Sequence, residues 1–225
     1  GPGVPQRTLR LAERGTWRVD DPNVQIQSPN QPTYPTIHAQ WRVKGAGLWF
    51  EANDARAYDQ ASVTLANATM TAAPWDNPFA VTVDQWGVIP ATVGVGGGQT
   101  VSVALYGLNS LNLPGVRVLG FDGVAPAIDL TTGTAGQINS AALTAPVTIP
   151  PGRYYIATLS LRTGSPTTTA TISYLAGQDP RLAGSVTTAS TGSGLYQTGV
   201  AAFTDNPTFQ PALYVAARVL FRQTA

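Results

Sequence analysis

A chain of 225 residues with no cysteine, a single histidine (His38) and a net charge of +1 excludes disulfide staples, thiolate metal sites and His-rich centres, and it offers no basic run for a phosphate backbone. Charged residues are only 11% of it, against roughly 25% in an ordinary soluble domain, while 43% are hydrophobic. The surface is therefore largely Thr, Ser, Asn, Gln, Gly and backbone, which suits burial in an assembly or contact with neutral polar ligands such as sugars better than it suits nucleic acid.

The amino terminus, Gly1-Pro2-Gly3, is neither a Met start nor a signal peptide, and reads equally as a protease scar or as a Gly/Pro-rich linker of a longer chain. No apolar run reaches the roughly 18 residues of a membrane-spanning helix, so no membrane insertion is expected. From Gly1 to about Tyr58 the sequence is irregular, holds seven of the 13 basic residues and is broken by Pro22, Pro29, Pro32 and Pro35. Residues 1–58 are read as an extended arm for oligomerisation or attachment. Within it HAQWRVKGAGLWFEA supplies one or two strands around Gly45 and Gly47, and QSPNQPTYPT is loop or polyproline-like. Trp17, Trp41, Trp49 and Phe50 would be costly to leave in water, so the arm is expected to pack on something, a neighbouring subunit being one candidate.

Residues 59–225 read as the main domain. Strands are predicted at Ala61 to Thr71, Phe79 to Ile89, Thr100 to Gly107, Val116 to Phe121, Val147 to Ile149, Arg153 to Leu161, Thr168 to Leu175 and Ala212 to Phe221. TVSVALYG puts Val101, Val103 and Leu105 on one face, and ALYVAARVLF does the same with Leu213, Val215, Ala217, Val219 and Phe221. In VTIPPGRYYIATLSL, Pro150, Pro151 and Gly152 mark a turn between two strands, read as a β-hairpin; beyond it Tyr155, Ala157, Leu159 and Leu161 face one way and Tyr154, Ile156, Thr158 and Ser160 the other. Further turns are marked at Gly94 to Gly98, Leu113 to Gly115 and Thr163 to Pro166. Leu130 to Ala145 and Ala176 to Gln210 read as long connections without a convincing strand. Strands with Gly/Pro turns and no helical period predict an all-β antiparallel β-sandwich, jelly-roll-like, with the arm ahead of it.

The succession PWDNPFAVTVDQWGV, TVSVALYG, LPG, VTIPPGRYYIATLSL and PALYVAARVLF resembles the carboxyl-terminal β-sandwich domains of bacteriophage tail-fibre and virion spike proteins. There a "PF" strand precedes a strand resembling "RIGIY", a "PG" loop and a hairpin resembling "LPAGTYWLA". The similarity runs from about Thr71 to Phe221; Ser102 and Val103 stand where an Arg often precedes the "GIY", and Tyr155 where that family tends to have Trp. The resemblance implies a domain exposed on an extracellular virion, a homotrimer working beside other virion proteins, that attaches to a host surface polysaccharide or protein.

Glycan cleavage needs two carboxylates about 5–10 Å apart, and the 12 acidic residues are mostly isolated. Adjacent Asp20 and Asp21 point to opposite sides of an extended segment, and Asp54, Asp59, Asp122 and Asp129 fit turns better than a calcium loop. No GxSxG elbow accompanies His38, and the Gly94–Gly98 run lacks the Lys-Ser/Thr of a phosphate loop. The chain is thus expected to be no enzyme and to need no cofactor or metal. Sugar binding asks instead for aromatic faces beside Asp, Asn, Gln or Arg. Loops with that chemistry are Trp75, Asp76 and Asn77 between two prolines; Gln178, Asp179 and Arg181 after Tyr174; and Tyr196 with Gln197 in GSGLYQTG. Each has a plain alternative, a structural loop with a packed aromatic, and Trp86 and Tyr106 are expected in the core. The function read from the sequence is a receptor-binding attachment domain for a carbohydrate; the alternative is a structural virion component, a capsid decoration or fibre-assembly domain, without ligand.

Overall fold

The computed structural model describes residues 10–12, 16–18, 47–52, 62–64, 66–118, 126–174, 194–210, 213–214 and 216–224. The chain divides into two compact units, Gly1–Pro35 and Thr36–Ala225. In the first, β1 (Arg10–Ala12) pairs antiparallel with β2 (Thr16–Arg18). The second is an all-β antiparallel sandwich with no helix among the described residues. One sheet runs β10 (Ile128–Asp129), β8 (Thr100–Leu108), β12 (Gly152–Leu161), β5 (Thr69–Asn77), β14 (Gly194–Thr198) and β15 (Leu213–Tyr214), with β9 (Pro114–Arg117) beside the far end of β8, seven strands in all. The facing sheet has four: β11 (Asn139–Ile149), β6 (Val81–Val88), β16 (Leu220–Gln223) and β3 (Trp49–Glu51). A small third sheet joins β4 (Ser62–Thr64), β13 (Thr171–Ser173) and β7 (Pro90–Thr92).

Two long strand pairs form one folded ribbon. β5 pairs with β12 from Thr69↔Ser160 to Asn77↔Gly152, and the ladder resumes in the other sheet as β6 with β11 from Val81↔Ile149. The Pro150-Pro151 turn is therefore a corner between sheets and not the predicted hairpin. Two adjacent residues without N–H cannot continue a ladder, so the chain leaves one sheet there and enters the other. The Asn77 amide nitrogen locks the corner by donating to the carbonyls of Ile149 (3.2 Å) and Pro150 (2.8 Å). The Gly94–Gly98 run likewise joins β7 to β8 in different sheets, with Gly96, Gly97 and Gly98 at positive φ. This wrapping of a ribbon around a core is the jelly-roll-like feature.

Between the sheets lies a core of Trp75, Val101, Val103, Leu105 and Ile156 from one side and Val83, Trp86, Val88, Ile149, Val219 and Phe221 from the other. Val101, Val103 and Leu105 point inward together, as do Ala217, Val219 and Phe221 of the second predicted face, whose Leu213 and Val215 side chains lie outside the described residues; Trp86 and Tyr106 are fully buried. The seven-stranded sheet has a second apolar layer on its outer face, from Met70, Ala72, Tyr106, Tyr155, Ala157, Leu159 and Leu195, against which Phe203 and Phe209 pack. That layer is strapped by residues 199–210: the Tyr106 hydroxyl donates to the Thr204 carbonyl (2.9 Å), the Asn206 amide to that of Gly115 (2.8 Å), and Arg117 pairs with Asp205 (3.0 Å).

Several predicted boundaries change. Ala61–Thr71 is two strands, β4 and β5, separated by a turn with Ala68 at φ 51°. The connection assigned to Leu130–Ala145 contains the first half of β11, whose polar alternation includes a bulge between Ala142 and Val147 that accommodates Pro146. The stretch Ala176–Gln210 contains β14, and Ala212–Phe221 holds β15 and the start of β16 rather than one strand. Gln99, unremarked in the sequence, is buried and fully bonded: its amide nitrogen donates to Gly96 (3.1 Å) and Thr168 (2.9 Å) carbonyls and its oxygen accepts from the Ala170 amide (2.7 Å).

Candidate functional site

Among the described residues, the predicted sugar residues Trp75, Asp76 and Asn77 are not brought together with Tyr196 and Gln197. Trp75, Asp76 and Asn77 are not a loop but the end of β5, because Pro74 falls past Ala72, where the ladder to β14 stops. Trp75 is 2% exposed in the core, against Tyr154 and Phe221 at ring centroid distances of 5.9 and 6.0 Å, so its face is not offered to a ligand. Asn77 is the corner lock, which corrects its reading as a sugar contact. Asp76 alone of the three reaches solvent, opposite Arg153 in register and bonded to its Nε at 3.2 Å. Tyr196 and Gln197 belong to β14 rather than to a loop, opposite Thr71 and Met70, roughly 17 Å along β5 from Asp76. Both are half-buried, and the Gln197 side-chain oxygen has no partner. Tyr174 is half-buried and bridges to Ala217. Gln178, Asp179 and Arg181 lie outside the described residues, as do His38, Asp20, Asp21, Asp54, Asp59 and Asp122.

The required chemistry does assemble elsewhere, on the outer face of the four-stranded sheet. With Ala217, Val219 and Phe221 turned into the core, the alternate residues Arg218, Leu220 and Arg222 lie on the opposite face, where Leu220 is buried and the two arginines are half-buried. Register places Trp49 of β3 opposite Arg222, and Glu51 opposite Leu220. On the other side Gly87 of β6 lies opposite Leu220 and Ser140 of β11. A Cβ at Gly87 would fall 3.3 Å from the Trp49 ring and 2.7 Å from Ile138 Cγ2, so glycine here lets the half-buried indole settle over the strand. Ser140, Ala142 and Thr148 of β11 are exposed along the same sheet, and Thr148 shares a hydroxyl hydrogen bond with Thr82 (2.8 Å).

Two ion pairs flank the indole. Arg222 holds Asp84 with both ends of its fork, Nε to Oδ1 at 2.9 Å and Nη2 to Oδ2 at 2.8 Å. Hydrogen bonding from Arg222 keeps the Asp84 carboxyl below its ordinary range, despite partial burial acting the other way. The same bond raises the Arg222 guanidinium. Arg218 pairs with Glu51, and burial pushes its guanidinium down. The result is an aromatic surface between planar donor and acceptor groups, able to stack on an apolar sugar face and to bond hydroxyls.

The sequence marked Trp49 only as a residue needing cover, and singled out none of Asp84, Gln85, Gly87, Arg218 and Arg222 for a ligand site. The available signal was Gly87 inside VTVDQWGV, since glycine within a strand marks a close approach. The cleft beside Asp76 and Arg153, lined also by Pro74, Leu108, Asn112 and Tyr155, measures about 30 Å³, space for a water or two and not for a sugar ring. Among the described residues no group of three or more His, Cys, Asp or Glu is placed to hold a metal ion, and no helix is long and apolar enough to cross a membrane. No family model matches the chain, and no curated protein matches it.

Proposed function

We propose that the chain is the receptor-binding domain of a bacteriophage or phage-like particle, a non-enzymatic module that attaches the virion to a host surface carbohydrate. The observation supporting this reading is Trp49 set over Gly87 between the Glu51–Arg218 and Asp84–Arg222 pairs, on a sheet face whose other described residues are neutral. In a homotrimer a weak contact repeated on each subunit gains avidity without new contacts. The test is binding of the purified protein to whole cells and extracted capsular polysaccharide of candidate hosts, with solution mass by light scattering on the same sample. Saturable binding by an oligomer, lost in a folded Trp49→Ala variant, supports the reading; an oligomer that binds no cell or glycan overturns it.

The second reading, a structural virion component, is favoured by the position of Trp49 on β3, which ends the four-stranded sheet order. An aromatic on a terminal strand also suits contact with a neighbouring subunit. In that case Trp49→Ala lowers the solution mass, and no glycan is bound by either form.

A further inference from the structure

Resting on the reading of this face as a sugar platform, we propose that its ligand is an uncharged glycan. A site for uronate, sialate, sulfate or phosphate groups presents guanidinium or ammonium donors that the anion can reach. On the outer face of the four-stranded sheet the arginines are already occupied. Arg222 gives Nε and Nη2 to Asp84, and both Nη atoms lie 3.0 Å from the Gln85 side-chain oxygen once that carboxamide is oriented oxygen-first. Arg218 is paired through Nη2 with Glu51, and its Nε is buried beyond a ligand's reach. Among the described residues the two positive and two negative side chains cancel, leaving this part of the face without net charge to attract an anion. An arriving carboxylate would instead be desolvated against Asp84 and Glu51, at a cost that no free donor fork offsets.

A neutral sugar meets the opposite situation. Ionised carboxylates have lone pairs beyond those that their arginines use, and sugar hydroxyls can donate to them. The Asp84 carboxyl, held low by Arg222, keeps that acceptor capacity at neutral pH. The exposed Ser140 hydroxyl both donates and accepts, and the apolar C–H face of a pyranose lies against Trp49. Because no ion is exchanged on binding, affinity should be nearly independent of salt.

The experiment presents the full chain to paired sets of oligosaccharides, neutral hexoses and N-acetylhexosamines on one side and uronate-, sialate- and sulfate-bearing chains on the other, at about 50 and 500 mM NaCl. Expected are binding within the neutral set, a change below about twofold between the two salts, and a loss of about tenfold in Trp49→Ala. Trp49→Phe, which keeps an aromatic on the sheet should the alanine variant unfold, should lose a few-fold. Binding confined to acidic chains, a loss of about tenfold with salt, or neutral binding indifferent to both Trp49 variants overturns this inference while the attachment reading stands. A folded protein that binds no glycan in either set overturns the attachment reading itself.

Discussion

The two main sheets bury their faces differently. In the seven-stranded sheet β5, β8 and β12 bury residues on both sides, one facing the shared core and the other lying under the 199–210 strap. In the four-stranded sheet β11 alternates instead, with Leu143, Val147 and Ile149 turned inward and Ser140, Ala142, Thr144 and Thr148 exposed. The seven-stranded sheet, packed on both faces, serves as a scaffold; the four-stranded sheet leaves the β11 side of its outer face exposed, where it can present chemistry. This is why Trp75 and Asn77 on β5 are packing and corner residues, while an aromatic with polar neighbours stands on the other sheet.

The largest expected effect tests what the sheets share. Trp86 is fully buried between them and donates its indole N–H to the Pro126 carbonyl at 3.0 Å. Trp86→Ala should cost about 3–5 kcal/mol in chemical denaturation. The contrast between outer faces comes next. Leu159, 2% exposed under the strap, should cost about 3 kcal/mol as alanine, whereas Ser140→Ala on the uncovered face should stay within about 0.5 kcal/mol. Equal values for the two would erase the distinction drawn here. Tyr106→Phe, which removes the hydroxyl bonded to Thr204, should cost about 1 kcal/mol and speed amide hydrogen exchange in residues 200–210 before it touches β6 or β11.

The smallest effect is acid sensitivity at the ion pairs. The Asp84 carboxyl is held below its ordinary value of about 4 chiefly by its hydrogen bond from Arg222. A depressed folded value means that its contribution is complete above pH about 4 and is lost as pH falls through that folded value. Denaturation midpoints followed from pH 5 downward should therefore drop more steeply in the native protein than in Asp84→Asn. Identical slopes would mean that the Asp84–Arg222 pair contributes nothing to stability.

How much of this was legible in the sequence follows the range of each signal. Alternation is local, so the faces of TVSVALYG and YYIATLSL could be read directly and matched the two apolar layers. Sheet membership is not local: Pro150 and Pro151 mark a break in a ladder equally well whether the chain turns back or crosses over, and only the pairing of β12 with β5 and β11 with β6 decides it. Trp75 illustrates the same limit. Between two prolines it looks like a loop residue, yet β5 continues through Pro74 in register with Tyr155 of β12. The Trp49 face was least legible, because its residues come from strands far apart in sequence and only the register of β16 with both β3 and β6 assembles them.

That register has a consequence for synthesis. β16, the last described strand, is not an edge but the shared neighbour of β6 and β3. At a ribosomal rate of about 5–20 residues per second, roughly 7 to 26 seconds separate the emergence of β6 from that of β16. Through that interval the nascent chain carries an unpaired edge and half of a core that cannot close, the state in which strands pair with wrong partners. Products interrupted before Leu220 should then be insoluble rather than merely less stable, because the strand that joins β6 to β3 is missing from them.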